Sequence, residues 1–174
     1  PTVGVCGTGA MGQGIAQMAA QAGSQVLLFD AATDRAVQAQ LAIATQWQKM
    51  LDKQRISTDQ HQAYLASLKT VDSLQALSAC DLVVEAVVEN TQVKQALFAQ
   101  LCEVLSGDAV LASNTSSLSI TALAAGLKRP ERFAGLHFFN PVPLMKVVEV
   151  VPGLATATAV CEKLKAYVLT MGHQ

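Results

Sequence analysis

The sequence predicts an α/β fold of the doubly wound type, with a mostly parallel sheet covered by helices on both faces. Short apolar segments alternate along the 174-residue chain with longer segments whose apolar residues recur at helical spacing. The strand segments are apolar throughout, which is typical of parallel strands buried on both faces. Four glycines lie within eight residues directly after the first strand, where the chain must turn sharply into a helix.

The first half of the chain predicts two strands, each followed by helical segments. Residues 3–6 form the first strand, and the next segment has apolar residues at helical spacing: Met11, Ile15, Met18, Ala19 and Ala22. Gly23 is placed to end that helix, and QVLLFD at 25–30 is the second strand. A long helix over 32–53 and a second helix over 59–67 follow. Together they are longer than a minimal crossover needs, so we expect a helical excursion after the second strand.

The second half continues the same alternation. Apolar runs predict five further strands, at 68–71, 81–88, 109–113, 132–138 and 146–151. Helical spacing predicts four further helices, at 73–79, 91–105, 119–125 and 156–171. Asn90 or Thr91 is expected to cap the second of these helices, and Gly126 to close the third.

Composition excludes several classes of protein. Apolar residues make up 51% of the chain, charged residues 14%, and the net charge is −1 without a cluster of Lys and Arg, which argues against a nucleic-acid partner. Polar residues interrupt every apolar run before about 18 residues, so no membrane span is expected. Because the sequence starts in a strand-like segment, we expect no targeting peptide. The four cysteines lie far apart, as expected for reduced thiols of a cytoplasmic protein without a metal site.

The glycine-rich segment has the spacing of a dinucleotide-binding loop. Gly7-x-Gly9-x-x-Gly12 lies between the first strand and the first helix, as a Rossmann-type fold requires. Gly7 permits the tight turn, Gly9 lets a diphosphate approach the backbone, and Gly12 lets helix and strand pack closely. Ala10 and Met11 lie at the helix N-terminus, whose N–H groups and partial positive charge attract phosphate. We therefore predict that these five residues bind the cofactor.

Asp30 completes the cofactor prediction. It ends the second strand 18 residues after Gly12, near the spacing of about 20 that the fingerprint requires. Its carboxylate can accept hydrogen bonds from both ribose hydroxyls and would repel a 2′-phosphate, which favours NAD over NADP. The alternative is that Asp30 only caps the helix that begins near Ala32, and the nearby Arg35 is typical of a helix surface.

Four longer motifs resemble the L-3-hydroxyacyl-CoA dehydrogenases, including the 3-hydroxybutyryl-CoA enzymes. They are GTGAMGQGIAQ, VVEAVVEN at 83–90, SNTSSL at 113–118 and GLHFFNPVPLMKVVEVV at 135–151. The resemblance implies NAD-dependent oxidation of (S)-3-hydroxyacyl-CoA to 3-oxoacyl-CoA, as in fatty acid metabolism and beta-oxidation. It also implies a homodimer formed through a C-terminal helical domain. We expect residues 1–174 to be the dinucleotide-binding domain alone, with NAD binding but little turnover in isolation.

His137 and Glu149 are the predicted acid–base pair. They lie twelve positions apart with Pro143 midway, so strands that fold back on one another would place them side by side. A carboxylate beside an imidazole fixes its tautomer and stabilises the imidazolium. The resemblance makes His137 the acid–base residue and Glu149 its orienting partner. Taken without it, a histidine among phenylalanines is more often a satisfied core residue.

The resemblance assigns further roles near the reacting groups. Ser116 follows the strand 109–113 and would bond the 3-oxygen of the substrate, and Asn140 matches a position at the nicotinamide end that also meets substrate. The alternatives are that the Ser/Thr-rich loop only caps the next helix and that Asn140 only starts an Asn-Pro turn.

The resemblance also places residues around the nicotinamide ribose and the CoA moiety. Ala86, Glu89 and Lys94 would contact the cofactor near the substrate entrance, although a glutamate at a helix N-terminus is ordinary. Lys53 matches a position that meets CoA phosphate, and Lys49 can reach the same region. The alternative for both Lys49 and Lys53 is that they are ordinary solvated lysines on a helix face, without a role in binding. The helical excursion is expected to form the CoA side of the cleft.

Two other functions fit parts of the sequence. A dehydrogenase of sugar-derived or other small hydroxy acids would use the same nucleotide fold, but such enzymes typically bring a lysine as base. A relative that binds NAD without catalysis would keep the fold, although intact His137, Glu149 and Ser116 argue against it. Acyl chain length and metabolic pathway are left open by these residues.

Overall fold

A computed structural model describes the backbone of residues 1–174 and every side chain except that of Thr33. Its seven strands are β1 (Thr2–Cys6), β2 (Gln25–Phe29), β3 (Leu68–Val71), β4 (Leu82–Glu85), β5 (Val110–Ser113), β6 (Phe133–Phe138) and β7 (Val148–Pro152). They form one sheet in the described residues, with the order β3-β2-β1-β4-β5-β6-β7. All neighbouring strands pair in parallel except β7, which is antiparallel to β6.

The helices cover both faces of this sheet, as predicted for a doubly wound fold. They are α1 (Ala10–Gln21), α2 (Thr33–Asp52), α3 (Thr58–Ser67), α4 (Thr91–Val104), α5 (Ile120–Ala124) and α6 (Thr158–Thr170). Two apolar clusters fill the spaces between the layers, one under α1, α2 and α6 and the other under α4 and α5. None of the helices described here is both long and apolar enough for a bilayer crossing.

Local signals in the sequence set several helix ends. Asn90 caps α4, because its side chain accepts a hydrogen bond from Val93 N at 3.0 Å. Ser57 and Gln60 form a capping box at the start of α3. Gly23 follows α1 with a φ of +95°, the left-handed conformation expected of a helix-ending glycine.

Some predicted boundaries are wrong, and β4 is the informative case. The apolar run predicts a strand over 81–88, but β4 ends at Glu85. The Glu85 carboxylate accepts a hydrogen bond from Val87 N at 2.7 Å, which turns the chain out of the sheet. The predicted strand 146–151 begins at Val148, and the predicted helix 73–79 is a 3₁₀ turn over Leu74–Leu77. The remaining ends agree within two residues.

The strand register aligns the carboxyl ends of five strands in one row. Val71 pairs with Phe29, Phe29 with Cys6, Cys6 with Glu85, and Glu85 with Ser113, and each is the last residue of its strand. The segments that follow these residues therefore leave the sheet at the same edge. The chain order reverses between β1 and β4, the position at which doubly wound folds bind ligands.

Two glycines permit close backbone contacts at the glycine loop, Gly7 with the segment after β4 and Gly12 with the residue that follows β1. Gly7 has a φ of +105°, and a Cβ built there would lie 2.5 Å from the carbonyl oxygen of Ala86. A Cβ built on Gly12 would lie 1.9 Å from the carbonyl oxygen of Gly7. Both contacts are with backbone atoms, which cannot move aside as a flexible side chain can. The close packing predicted for Gly12 is thus a feature of the structure.

We predict that Gly12→Ala destabilises the domain by about 3 kcal/mol, because the added methyl group forces α1 away from β1. Chemical unfolding followed by circular dichroism measures this change. Gly107→Ala is the matched control, since a Cβ at Gly107 meets no atom within 4 Å. Equal free energies of unfolding for the two variants would contradict the packing argument.

Candidate active site

The glycine loop is attached to the end of β2 through Asp30. Thr8 Oγ1 donates to Asp30 Oδ2 at 2.7 Å, and Ala32 N donates to Asp30 Oδ1 at 2.9 Å. The bond from Ala32 N closes a local turn before α2, whose N-cap residue is Ala32 and which has no side-chain cap, so Asp30 is not simply the cap of this helix. The carboxylate also stands beside the loop, where the ribose-binding role predicted for it requires it to be.

The loop fits the diphosphate of a dinucleotide. A Cβ built on Gly9 meets no atom within 4 Å, so open space adjoins the backbone at this residue. Gly9 is the N-cap residue of α1 and has no side chain to occupy the helix N-terminus. Ala10 and Met11 follow in the first turn, where free N–H groups attract anions. The residues that would hold NAD here are the predicted ones.

A cleft of about 290 Å³ opens beside this loop at the carboxyl edge of the sheet. It is lined by residues from the start of α1, from the segment between β4 and α4 with Lys94, from the loop after β5, and from the end of β6 and the turn that follows: Met11, Ala86, Val87, Glu89, Lys94, Asn114, Ser116, His137, Phe138, Phe139 and Asn140. The structure thus brings together seven predicted residues, namely Met11, Ala86, Glu89, Lys94, Ser116, His137 and Asn140. It adds Asn114, which sequence reasoning missed.

His137 and Glu149 face each other across the antiparallel pair of β6 and β7. They are direct partners in the strand register, and His137 Nδ1 lies 3.0 Å from Glu149 Oε1. The ring of Phe139 packs against the imidazole, with centroids 4.4 Å apart. The His137 side chain is 19% exposed and that of Glu149 57%. The cross-strand placement predicted from their spacing is confirmed.

The turn between β6 and β7 is held against α1. The Asn140–Pro141 peptide bond is cis, and the side chain of Val142 packs on Gly14. A Cβ on Gly14 would lie 2.7 Å from Val142 Cβ, so this fourth glycine admits the turn. Asn114 Oδ1 accepts from Phe138 N at 2.8 Å and ties the end of β6 to the loop after β5.

Glu89 holds the loop that contains Ser116. Its Oε2 atom accepts hydrogen bonds from Thr115 Oγ1 at 2.7 Å and from Ser117 Oγ at 2.9 Å, the two neighbours of Ser116. Partial burial raises the pKa of Glu89, but these hydrogen bonds and the nearby Lys94 ammonium outweigh it and hold the pKa below its usual value. Glu89 therefore stays ionised while it positions Ser116.

Lys94 belongs to a buried ion pair that sequence reasoning missed. Its ammonium donates to Glu85 Oε2 and lies 3.1 Å from Glu89 Oε1. Glu85 is fully buried at the end of β4 and also accepts from Ser113 Oγ at 2.5 Å. The signal was present in the sequence, because a glutamate within the apolar run DLVVEAVV must be paired to be buried.

The two lysines predicted to meet CoA lie at the C-terminal end of α2 and not at the cleft. Lys53 is the C-cap of α2, and Lys49 lies in its last turn. Trp47, close to this end of α2, donates through Nε1 to Gln21 Oε1. Gln21 is the last residue of α1, so this contact lies at the end of α1 opposite to the glycine loop. Neither lysine lines the cleft. Their contact with CoA phosphate and the role of the helical excursion stay predictions.

The fold and this site define a dinucleotide-binding domain with a histidine–carboxylate pair beside the cofactor loop. Residues 2–174 match the family model described as 3-hydroxyacyl-CoA dehydrogenase, NAD binding domain. The chain is 48% identical over 173 residues to the 3-hydroxyadipyl-CoA dehydrogenase of Escherichia coli K12, an alignment that covers 99% of this chain and 36% of that protein. It is 44% identical over 172 residues to the 3-hydroxybutyryl-CoA dehydrogenase of Bradyrhizobium diazoefficiens, covering 99% and 59%.

The structural comparison agrees. The crystal structure of 3-hydroxybutyryl-CoA dehydrogenase from Escherichia coli K12 superposes with a TM-score of 0.97 at 48% identity, covering 99% of this chain and 37% of that one. The chain therefore belongs to the NAD-binding domain family of the 3-hydroxyacyl-CoA dehydrogenases, and its cofactor is NAD. It spans 36% and 59% of the lengths of the two curated relatives named above.

We predict that Thr8→Val weakens NADH binding about tenfold, because the lost hydroxyl leaves Asp30 less well held, and a hydrogen bond to a charged group contributes about 1.5 kcal/mol. Thr8→Ser, which keeps the hydroxyl, should bind as the wild type does. Fluorescence titration of the chain with NADH measures both. Unchanged affinity in the valine variant would show that the bond to Asp30 has no part in binding.

Proposed function

We propose that the protein containing this domain oxidises the 3-hydroxyl group of a 3-hydroxyacyl-CoA thioester, with NAD as the oxidant. The observation that carries the proposal is the contact between His137 and Glu149 at the wall of the cleft. The relatives named 3-hydroxybutyryl-CoA and 3-hydroxyadipyl-CoA dehydrogenase support the substrate class. A homodimer formed through a C-terminal helical domain and a cytoplasmic location stay predictions.

The pair has the tautomer that a general base needs. A carboxylate only accepts hydrogen bonds, so its contact with Nδ1 places the imidazole proton on that nitrogen. Nε2 then carries the free lone pair that can take the proton of the substrate hydroxyl. Glu149 stabilises the imidazolium that results. In the reverse direction the imidazolium returns this proton to the oxygen.

The other cleft residues orient the reacting group. Ser116 would donate to the substrate oxygen, and Glu89 fixes its loop through the hydroxyls of Thr115 and Ser117. When bound, NAD accepts the hydride that leaves the hydroxyl-bearing carbon. Asn140, on the turn held against α1, would meet the nicotinamide end. Each of these groups is held by the sheet edge before substrate arrives, which favours catalysis by positioning.

Lys94 is poorly suited to be the base that a hydroxy-acid dehydrogenase of another class would use. It is 1% exposed and its ammonium contacts the carboxylates of Glu85 and Glu89. The observation favours His137 as the base.

The test compares NADH formation from 3-hydroxybutyryl-CoA and from free 3-hydroxybutyrate, catalysed by the complete gene product. The proposal predicts that the thioester is oxidised and that the free acid reacts far more slowly. A preference for the free acid would replace the proposal with the hydroxy-acid alternative. Failure to oxidise either, with NAD still bound, would favour a relative without catalysis.

We predict that His137→Gln lowers kcat by about 10²- to 10⁴-fold, the usual contribution of a positioned acid–base group. Glu149→Gln should lower kcat by a smaller factor, since it removes the orienting partner and leaves the base. Both variants should bind NADH within about twofold of wild type in the same titration.

Glu162→Gln is the matched control, because Glu162 is exposed on α6, pairs with Lys165 and does not line the cleft. It should leave kcat and NADH affinity unchanged. A His137→Gln enzyme with wild-type kcat would rule out the proposed base.

A further inference from the structure

Glu85 is a buried charge that neither the end of β4 nor the proposed reaction requires, because a neutral side-chain oxygen could also accept from Val87 N. It is 0% exposed, and it accepts hydrogen bonds from Ser113 Oγ, Val87 N and Lys94 Nζ. These donors satisfy the carboxylate, so it is not an orphaned group. Replacing a buried ion pair with apolar residues is nevertheless often neutral or stabilising. Stability alone therefore does not account for a charge at this position.

The charges of this region alternate from the core to the cleft. Glu85 lies innermost, Lys94 is 1% exposed beside it, and Glu89 has a side chain that is 42% exposed at the cleft wall. Two carboxylates and one ammonium leave this wall with one net negative charge. Without Glu85, Lys94 would neutralise Glu89 and the wall would have no net charge.

The position of the cluster gives this charge an effect on bound ligands. Lys94 and Glu89 line the cleft together with Ser116 and His137. Buried charges are screened by solvent much less than exposed ones, so their field reaches into an adjacent cleft. His137 also lines the cleft, and the His137–Glu149 pair adds no positive charge while the imidazole is neutral.

We propose that Glu85 sets the net negative charge of the cleft wall and so favours the oxidised form of the cofactor over the reduced form. The nicotinamide ring of NAD⁺ is a cation, whereas the ring of NADH is neutral, so a negative wall stabilises the former. This inference rests on the proposed function, which puts the nicotinamide end in this cleft. Glu85 acts on the cofactor through charge and through Lys94, without touching it.

The test measures the dissociation constants of the chain for NAD⁺ and for NADH by calorimetry and compares their ratio between variants. Glu85→Gln keeps the side-chain shape, because its oxygen can accept from Val87 N and its amide can donate to Ser113 Oγ. The ratio Kd(NAD⁺)/Kd(NADH) should rise about fivefold, as expected for one partly screened unit charge. A purely structural role would weaken both forms alike and leave the ratio unchanged, and that result would overturn the inference.

Glu103→Gln is the matched control. Glu103 lies on α4, as Lys94 does, but it is exposed and paired with Lys128. Its substitution removes the same unit of charge at the surface, so the ratio should stay within about twofold of wild type because solvent screens it. A shift equal to that of Glu85→Gln would show that overall charge, and not the cleft wall, sets the preference.

A second pair of variants carries the test if Glu85→Gln does not fold. Lys94→Gln leaves two negative charges at the wall, and adding Glu85→Gln restores one. The ratio should therefore be about fivefold higher in the double variant than in Lys94→Gln, and close to wild type. Equal ratios in the two variants would contradict the role of Glu85. If the wild-type chain binds neither form of the cofactor, the proposed cofactor site is wrong. If the chain binds both forms and the ratio is the same in every variant, the cofactor site stands and only the role of Glu85 is wrong.

Discussion

The row of paired residues Val71, Phe29, Cys6, Glu85 and Ser113 fixes where the polypeptide leaves the sheet, and the site depends on it. Parallel pairing brings the carboxyl ends of strands that are distant in sequence to one edge. The glycine loop, the Glu85 carboxylate and the loop that contains Ser116 lie at or just after this row. Strand β6 continues three residues beyond Gly135, the partner of Ser113, and so brings His137 to the same edge. A shift of one residue in any strand would turn its side chains to the opposite face and separate the cluster.

Three kinds of interaction have separate roles at that edge. Bare backbone near Gly9 accommodates a diphosphate, since nothing within 4 Å would meet a side chain there. The buried charges of Glu85 and Lys94 set the electrostatic field of the cleft wall. Where β6 turns back through the Asn140–Pro141 segment into antiparallel β7, the register places Glu149 beside His137. Cofactor affinity, the preferred redox state and proton transfer are thus assigned to different residues of one rigid frame.

The sequence predicted the fold class, six of seven strands closely, and the cross-strand pair, because periodic burial and glycine spacing are local signals. It overextended β4 because Ala86 and Val87 are as apolar as the strand before them, while the bond from Val87 N to Glu85 that ends the strand is invisible to periodicity. Glu85 and Asn114 were missed for a related reason: their partners lie on other strands, and only the folded register shows which donors they meet. The same limit applies to Lys53, whose distance from the cleft depends on the direction of α2.

The most direct measurement of the central claim is a crystal structure of this chain with NADH bound. The account predicts the diphosphate on the backbone of Gly9 to Met11, the adenosine ribose hydroxyls at Asp30, and the nicotinamide ring in the cleft between Ser116, His137 and Asn140. It also predicts that His137 and Glu149 stay in hydrogen-bond contact. A cofactor bound away from the glycine loop, or a nicotinamide ring pointing out of the cleft, would contradict the account.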